Sequence, residues 1–168
     1  MDQYKDKTVL VVGHTGFKGS WLSIWLNMLG AKVYGMSDDV PSIPSNFEVC
    51  NLKNIIVDKR VDIKNIDLVI KNIENINPDY IFHLAAQPLV RPSYEDPINT
   101  FTTNAIGTAH VLEAVRLIEK DLVLVMITSD KVYDNVEWDR GYRETDRLGG
   151  KDPYSASKGM AEIAIRSY

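Results

Sequence analysis

Apolar residues along this chain follow two alternating rhythms, short unbroken runs and repeats spaced by three or four. Val9-Leu10-Val11-Val12 is the first run, and its β-favouring residues predict a buried strand. It meets a turn holding Gly13, Gly16 and Gly19, after which Trp21 to Leu29 predicts a helix that stops at Gly30. Lys32 to Met36 predicts a second strand, followed by Ser37-Asp38-Asp39 and a loop punctuated by Pro41 and Pro44. A third strand is expected over Asn54 to Asp58, with Val61-Asp62-Ile63 just beyond it. Positions 66, 69, 70, 73 and 76 have a helical period, and Asn77-Pro78 ends that helix. Tyr80 to Leu84 predicts a fourth strand. Positions 98, 101, 105, 109, 112, 115 and 118 then mark one face of a long helix from Pro97 to Glu119. Leu122 to Ile127 is apolar throughout, as a central parallel strand covered on both faces would be. A polar, aromatic loop from Tyr133 to Gly150 precedes a last helix that begins at Asp152-Pro153.

Strand and helix alternate throughout, so the expected fold is α/β, a doubly wound parallel sheet with helices on both faces. No internal repeat, linker or low-complexity segment divides residues 1–168. Tyr168 falls inside a helical pattern with no stop signal, so the fold is expected to continue into further strands.

Composition narrows the function classes. With 168 residues, 45% of them hydrophobic, the chain is long enough for one globular core. A net charge of -4 without a long basic run argues against nucleic acid or anionic membranes as partners. Cys50 is the only cysteine, the start is polar, and no apolar run is long enough to span a bilayer. A cytoplasmic setting is the expectation. His14, His83 and His110 have no metal-ligand spacing, so no metal is expected, and His110 is read as a helix-surface residue.

The candidate chemistry sits where strands end. A helix beginning in the glycine turn offers unpaired N–H groups and the positive end of a dipole, which suits a pyrophosphate. Ser129, Asp130 and Lys131 follow the fifth strand, at the carboxyl edge where ligands bind in such sheets. Tyr154 and Lys158 are four apart at the start of the last helix, so they share a face. A cation beside a phenol eases proton exchange with a substrate hydroxyl. Gln87, Arg91 and Tyr94 follow strand four on the same rim.

Taken together, Gly13-x-x-Gly16-x-x-Gly19, His83-Leu-Ala-Ala86, Ser129 and Tyr154-x-x-x-Lys158 resemble the extended short-chain dehydrogenase/reductases. More narrowly, Gly13 to Leu22, Phe82 to Arg91, Thr128 to Lys131 and Asp152 to Lys158 are similar to the branch of sugar-nucleotide 4,6-dehydratases acting on CDP-glucose. The resemblance covers essentially the whole chain but only about the first half of the usual length. It implies an NAD-binding, Rossmann-like domain over residues 1–168, with the last strands and a sugar-nucleotide-binding part lying beyond them. It also implies transient oxidation at C4 of CDP-glucose, loss of water across C5 and C6, and return of hydride to C6. In that scheme Tyr154 takes the 4-hydroxyl proton and Ser129 hydrogen-bonds the reacting oxygen. Lys158 supports the tyrosine and the nicotinamide ribose, Asp130 protonates the departing hydroxyl, and Lys131 is the candidate base at C5.

Gly13, Gly16, Phe17 and Gly19 would cradle the cofactor, Asp62 and Ile63 would flank its adenine, and Ala85 and Ala86 would pass beside it. Gln87 and Arg91 would reach the substrate. Ser37 stands where NAD-binding members carry an acidic residue, so the ribose contact shifts to Asp38; Asp38-Asp39 would repel a 2′-phosphate, whereas Lys18 would favour one. Asp130 distinguishes elimination from simple C4 epimerisation. The alternatives are another sugar-nucleotide dehydratase or epimerase, and a non-catalytic nucleotide-binding fragment. The resemblance further implies a role in surface-polysaccharide (O-antigen) sugar synthesis and a homodimer formed through the long helix.

Overall fold

The run at Val9 becomes β1 (Thr8–Val12), the middle strand of the sheet in the computed structural model, which describes residues 2–168. Leu10 and Val12 face one core, Val9 and Val11 the other, and none of the four is accessible to solvent. β2 (Lys32–Ser37) and β3 (Val57–Arg60) lie on one side. β4 (Tyr80–His83) and β5 (Val123–Met126) lie on the other, giving a parallel sheet of order β3-β2-β1-β4-β5. The strand order reverses between β1 and β4, which is where such sheets open a crevice at their carboxyl edge. Register sets that edge: Val12 stands opposite Met36 and His83, and His83 opposite Met126.

α1 (Phe17–Met28) covers the Val9/Val11 face through Leu26, beside Phe47 of α2 (Asn46–Val49). The opposite face carries α3 (Ile66–Ile76), whose Val69, Ile73 and Ile76 are buried as their spacing predicts. Asn65 caps this helix by accepting from the Leu68 N–H, and Asn77, at φ 46°, ends it in the left-handed conformation ahead of Pro78. The doubly wound α/β architecture expected from the alternation is the architecture found.

Three elements depart from expectation. The third strand starts three residues later than predicted, because Leu52–Asn54 closes a 3-10 turn and Ile56 anchors the loop in the core. β3 itself is mostly polar, as an outer strand can be, and joins the sheet by backbone pairing with β2. β5 was expected to be central; among the described residues it is the outer strand, and Val123 is half exposed. The long helix is not uniform. It consists of α5 (Pro97–Phe101), a π-turn over Thr102–Ile106, and α6 (Gly107–Arg116), preceded by the unpredicted single-turn α4 (Val90–Glu95).

A π-turn inserts an extra residue and rotates the helix face by roughly 100°. Consequently Ile98 is 73% exposed, whereas Thr100, Asn104 and Thr108 are buried. The predicted apolar core face therefore holds only from Ala105 onward. The polar residues are turned inward toward β4 and α7 (Pro153–Ser167). No helix among the described residues is long and apolar enough to cross a membrane.

Candidate functional site

Loops leaving β1, β2, β3, β4 and β5 enclose a cleft of about 640 Å³ at the carboxyl edge. Its floor is the glycine turn. Gly13 sits at φ 92°, and a Cβ there would lie 2.5 Å from the Ala85 amide nitrogen, so only glycine lets this turn pass under the β4 loop. A side chain on Gly19 would collide with the Gly13 carbonyl, so the first turn of α1 rests directly on the loop. Gly16 caps α1 without a side-chain hydrogen bond and lines the cleft with Phe17 and Lys18. The helix start thus presents backbone donors and a cation to the same space.

His14 is not a loop histidine facing ligand. It is fully buried, with Nε2 2.9 Å from Asp58 and Nδ1 3.1 Å from the Ser37 hydroxyl, and its ring meets Phe47 edge-on. Burial holds its pKa below the ordinary value, opposed by Asp58. Gly35 makes the room: a Cβ there would run into the imidazole. Thr15 adds a second tie, donating to the Asp39 carbonyl at 2.6 Å. The glycine turn, the β2 end and β3 are therefore one locked unit, and it places Asp38 and Asp39 on the cleft wall. A glycine inside a strand signals close approach, and Gly35 was the sequence signal for this clamp.

Asp62 and Ile63 line the opposite wall with Lys64, which is held 3.5 Å from Asp62 and 2.9 Å from Asn99. His110, expected on the surface, is half-buried, and its Nδ1 lies 2.8 Å from the Ile63 carbonyl. Ala85, Ala86 and Gln87 form the β4 side. The Gln87 amide is engaged with Leu89 and Thr100, so this residue holds the loop in shape. Arg91 lies outside the cleft lining on α4, exposed and 3.5 Å from Glu95.

Tyr154 and Lys158 project from the first turns of α7 into the cleft. Asp152 sets that helix start by accepting from the Ser155 N–H and hydroxyl, with Pro153 in the first turn. Lys158 is 6% exposed. Burial, reinforced by the positive charge of Lys18, pulls its pKa down from 10.5 to about 8. Two cations from opposite sides thus face one space, a setting that favours an anion between them. Thr128 also lines the cleft, and its hydroxyl is hydrogen-bonded to Glu162, one turn beyond Lys158. Ser129, Asp130 and Lys131 follow immediately but stand outside the lining. The Ser129 oxygen caps a short 3-10 turn by accepting from the Lys131 N–H, and its hydroxyl donates to Asp130 at 3.1 Å.

Beneath the site lies a polar network that spacing did not reveal. Asn104, in the π-turn, accepts from the Gln87 N–H and donates to the Gln87 carbonyl and to Ser157, joining the β4 loop to α7. The Thr108 hydroxyl gives its one proton to the Asn104 carbonyl at 2.7 Å, so His83 Nε2, 3.0 Å away, must be the donor to Thr108. His83 Nδ1 is then a buried lone pair without a partner among the described residues. Burial and the nearby Lys158 push the His83 pKa down to about 3, so the imidazole stays neutral in the folded state. Unfolded His83 titrates near 6.5, so this residue withdraws stability as pH falls from there toward 3. Among the described residues no group of His, Cys, Asp and Glu could hold a metal ion.

Residues 10–168 match the family model described as GDP-mannose 4,6 dehydratase. The chain is 48% identical over 165 residues to the CDP-glucose 4,6-dehydratase of Salmonella typhimurium, covering 98% of this chain and 46% of that protein. It is 28% identical to the GDP-mannose 4,6-dehydratase of Vibrio cholerae, covering 96% of this chain and 45% of the relative. Among solved structures, the Thermus thermophilus UDP-glucose 4-epimerase complex with NAD superimposes with a TM-score of 0.82 at 30% identity. That match covers 96% of this chain and 50% of the epimerase. The chain spans about half the length of the relatives it matches.

Proposed function

From the premise that this chain belongs to the GDP-mannose 4,6 dehydratase family, we propose that the protein is an NAD-using sugar-nucleotide 4,6-dehydratase whose substrate is CDP-glucose. The observation that carries the substrate is the 48% identity to a CDP-glucose 4,6-dehydratase, against 28% to a GDP-mannose enzyme. The cleft fits a dinucleotide. Its floor is glycine, its uncapped helix start and Lys18 face a pyrophosphate, and Asp38 stands at the β2 end where a ribose would lie. Asp62 and Ile63 would flank the adenine, and Ala85 and Ala86 would line the path toward Tyr154 and Lys158.

Bound there, NAD supplies a reversible hydride acceptor. Tyr154 takes the proton of the 4-hydroxyl, while Lys158 supplies positive charge beside it. Ser129 hydrogen-bonds the same oxygen. Once C4 is a ketone, the C5 proton is acidic; Lys131 removes it and Asp130 protonates the departing C6 hydroxyl as water, leaving a C5–C6 double bond that would take the stored hydride back at C6 and a proton at C5. In this reading the product is CDP-4-keto-6-deoxyglucose, made in the cytoplasm for surface-polysaccharide sugars by a homodimer joined through the α5–α6 helix.

The test is turnover. Incubation with CDP-glucose and NAD is expected to yield a 4-keto product seen by its absorbance in alkali, with Tyr154→Phe reducing the rate at least 100-fold. Faster turnover of dTDP-, GDP- or UDP-sugars would reassign the substrate, and no product from any of them would remove the dehydratase reading. A second reading, dinucleotide binding without turnover, is favoured by the position of Ser129, Asp130 and Lys131 outside the cleft lining. Calorimetry showing saturable NAD binding by a chain inactive on every sugar nucleotide would support it.

A further inference from the structure

Three side chains form a row of hydrogen bonds that ends at the cleft. Ser37 is the last residue of β2 and lines the cleft beside Asp38, although it is only 5% exposed. Its Oγ lies 3.1 Å from His14 Nδ1, and His14 Nε2 lies 2.9 Å from one oxygen of Asp58. The other Asp58 oxygen accepts from Arg60 at 2.8 Å. Neither His14 nor Asp58 lines the cleft, so Ser37 is the one member of the row that a ligand can touch.

Proton positions along the row follow from what each group can do. A carboxylate paired with a guanidinium only accepts, so His14 Nε2 carries the ring proton and donates it to Asp58. In the neutral imidazole Nδ1 is then a bare lone pair, and the Ser37 hydroxyl must donate to it. With its proton directed inward, the Ser37 oxygen has only lone pairs to offer the cleft. The end of β2 is where a dinucleotide places its adenosine ribose, and the usual partner there is an acidic residue that accepts from the 2′-hydroxyl. A hydroxyl that accepts and cannot donate reproduces the hydrogen-bonding sense of that carboxylate without its charge.

We propose that Ser37 is a cofactor-selecting residue, held by His14 and Asp58 as an obligate acceptor for a ribose hydroxyl and unable to donate to a 2′-phosphate. This role presupposes the dinucleotide reading of the cleft, and it adds discrimination by proton position to the repulsion from Asp38 and Asp39. His14 and Asp58 are positioning residues. The selection is also reversible: a proton on Nδ1 makes that atom a donor, and the Ser37 proton is released to serve a phosphate oxygen. The charged groups acting on the ring are Asp58 and Arg60 of β3; the ring otherwise meets Ser37 and the Met36 carbonyl of β2 and the Phe47 ring of α2. Burial keeps the imidazole neutral at pH 7, so the acceptor state holds there and is lost only as pH falls below 6.5.

Asp58→Asn reverses the row at constant pH. Arg60 takes the amide carbonyl, the amide NH2 faces Nε2, the ring proton moves to Nδ1, and Ser37 turns its own proton outward. Calorimetry with NAD and NADP at about pH 8 is the test. The preference of the parent for NAD is expected to shrink about tenfold in Asp58→Asn, and nitrogen-15 spectra should show the His14 proton passing from Nε2 to Nδ1. Ser37→Ala, which removes the acceptor, should reduce the same preference. It is also the reference for acid conditions, because a phosphate monoester itself takes up a proton near about pH 6. Between about pH 8 and 5.5 the preference should therefore fall further in the parent than in Ser37→Ala. NAD binding with a preference unchanged in both variants, each shown folded by circular dichroism, would overturn the inference and leave the NAD site standing. A parent that binds neither dinucleotide would overturn both. An Nδ1–H tautomer of His14 in the parent would overturn the inference without any variant.

Discussion

Lys158 combines two opposing demands in one side chain. Among the described residues it is buried without a carboxylate partner, close enough to Lys18 to be repelled, and it lines the cleft. In the unfolded chain its pKa is the ordinary 10.5, in the folded chain about 8. Below pH 8 both states carry the charge and the folded state bears the full cost, roughly 3 kcal/mol at most. Between about 8 and 10.5 only the unfolded state holds the proton, so stability rises with pH across that window. Lys158→Met is therefore expected to be more stable than the parent at pH 7 by about 1–3 kcal/mol and to lose the alkaline rise, while forfeiting the site. Thermal unfolding from pH 6 to 10 checks this; a variant less stable than the parent at pH 7 would show that the ammonium has a favourable partner.

At the scale of elements, the cleft exists because strands and helices are pinned to one another by a few polar side chains. His14 binds the glycine turn to β2 and β3, Asn104 binds the β4 loop to α7, and Glu162 binds the β5 end to α7. The first pin needs space, which Gly35 provides beside the His14 ring. Gly35→Ala tests the first. Its methyl would enter the volume of the His14 ring, which has no room to retreat between Asp58, Ser37 and Phe47. Overpacking of this kind costs about 1–3 kcal/mol. The expected result is a lower denaturation midpoint and weaker dinucleotide binding, because the Asp38 wall moves with the ring. Unchanged stability by denaturant titration would mean that the clamp is slack.

For the whole molecule, the cleft gathers residues from α1, from the β2, β3 and β4 ends, and from α7, so one dinucleotide would bridge both halves of the sheet. A ligand held that way stabilises only the folded state. At a hundred times its dissociation constant, NAD should add about 2.7 kcal/mol, a rise of roughly 5–10 °C in Tm for a chain of this size. NADP should give less, given Asp38 and Asp39 on the wall. An equal or larger shift with NADP would mean that Lys18 outweighs those carboxylates.

What the sequence determined by itself is what short-range periodicity and local chemistry encode. β1, α3 and the start of α7 follow from spacing and caps, the parallel α/β class follows from alternation, and the glycine turn follows from three glycines after an apolar run. The resemblance then supplied the roles assigned to Tyr154 and Lys158. Other features were decided only by tertiary structure, because they depend on what meets across the fold. The π-turn that turns Thr100, Asn104 and Thr108 inward is set by hydrogen bonds to β4 and α7, and apolar spacing carries no trace of it. β3 takes its register from β2 although its own residues are mostly polar. The depressed pKa of Lys158 comes from burial and from a cation 140 positions earlier in the chain, a distance that local pattern does not span.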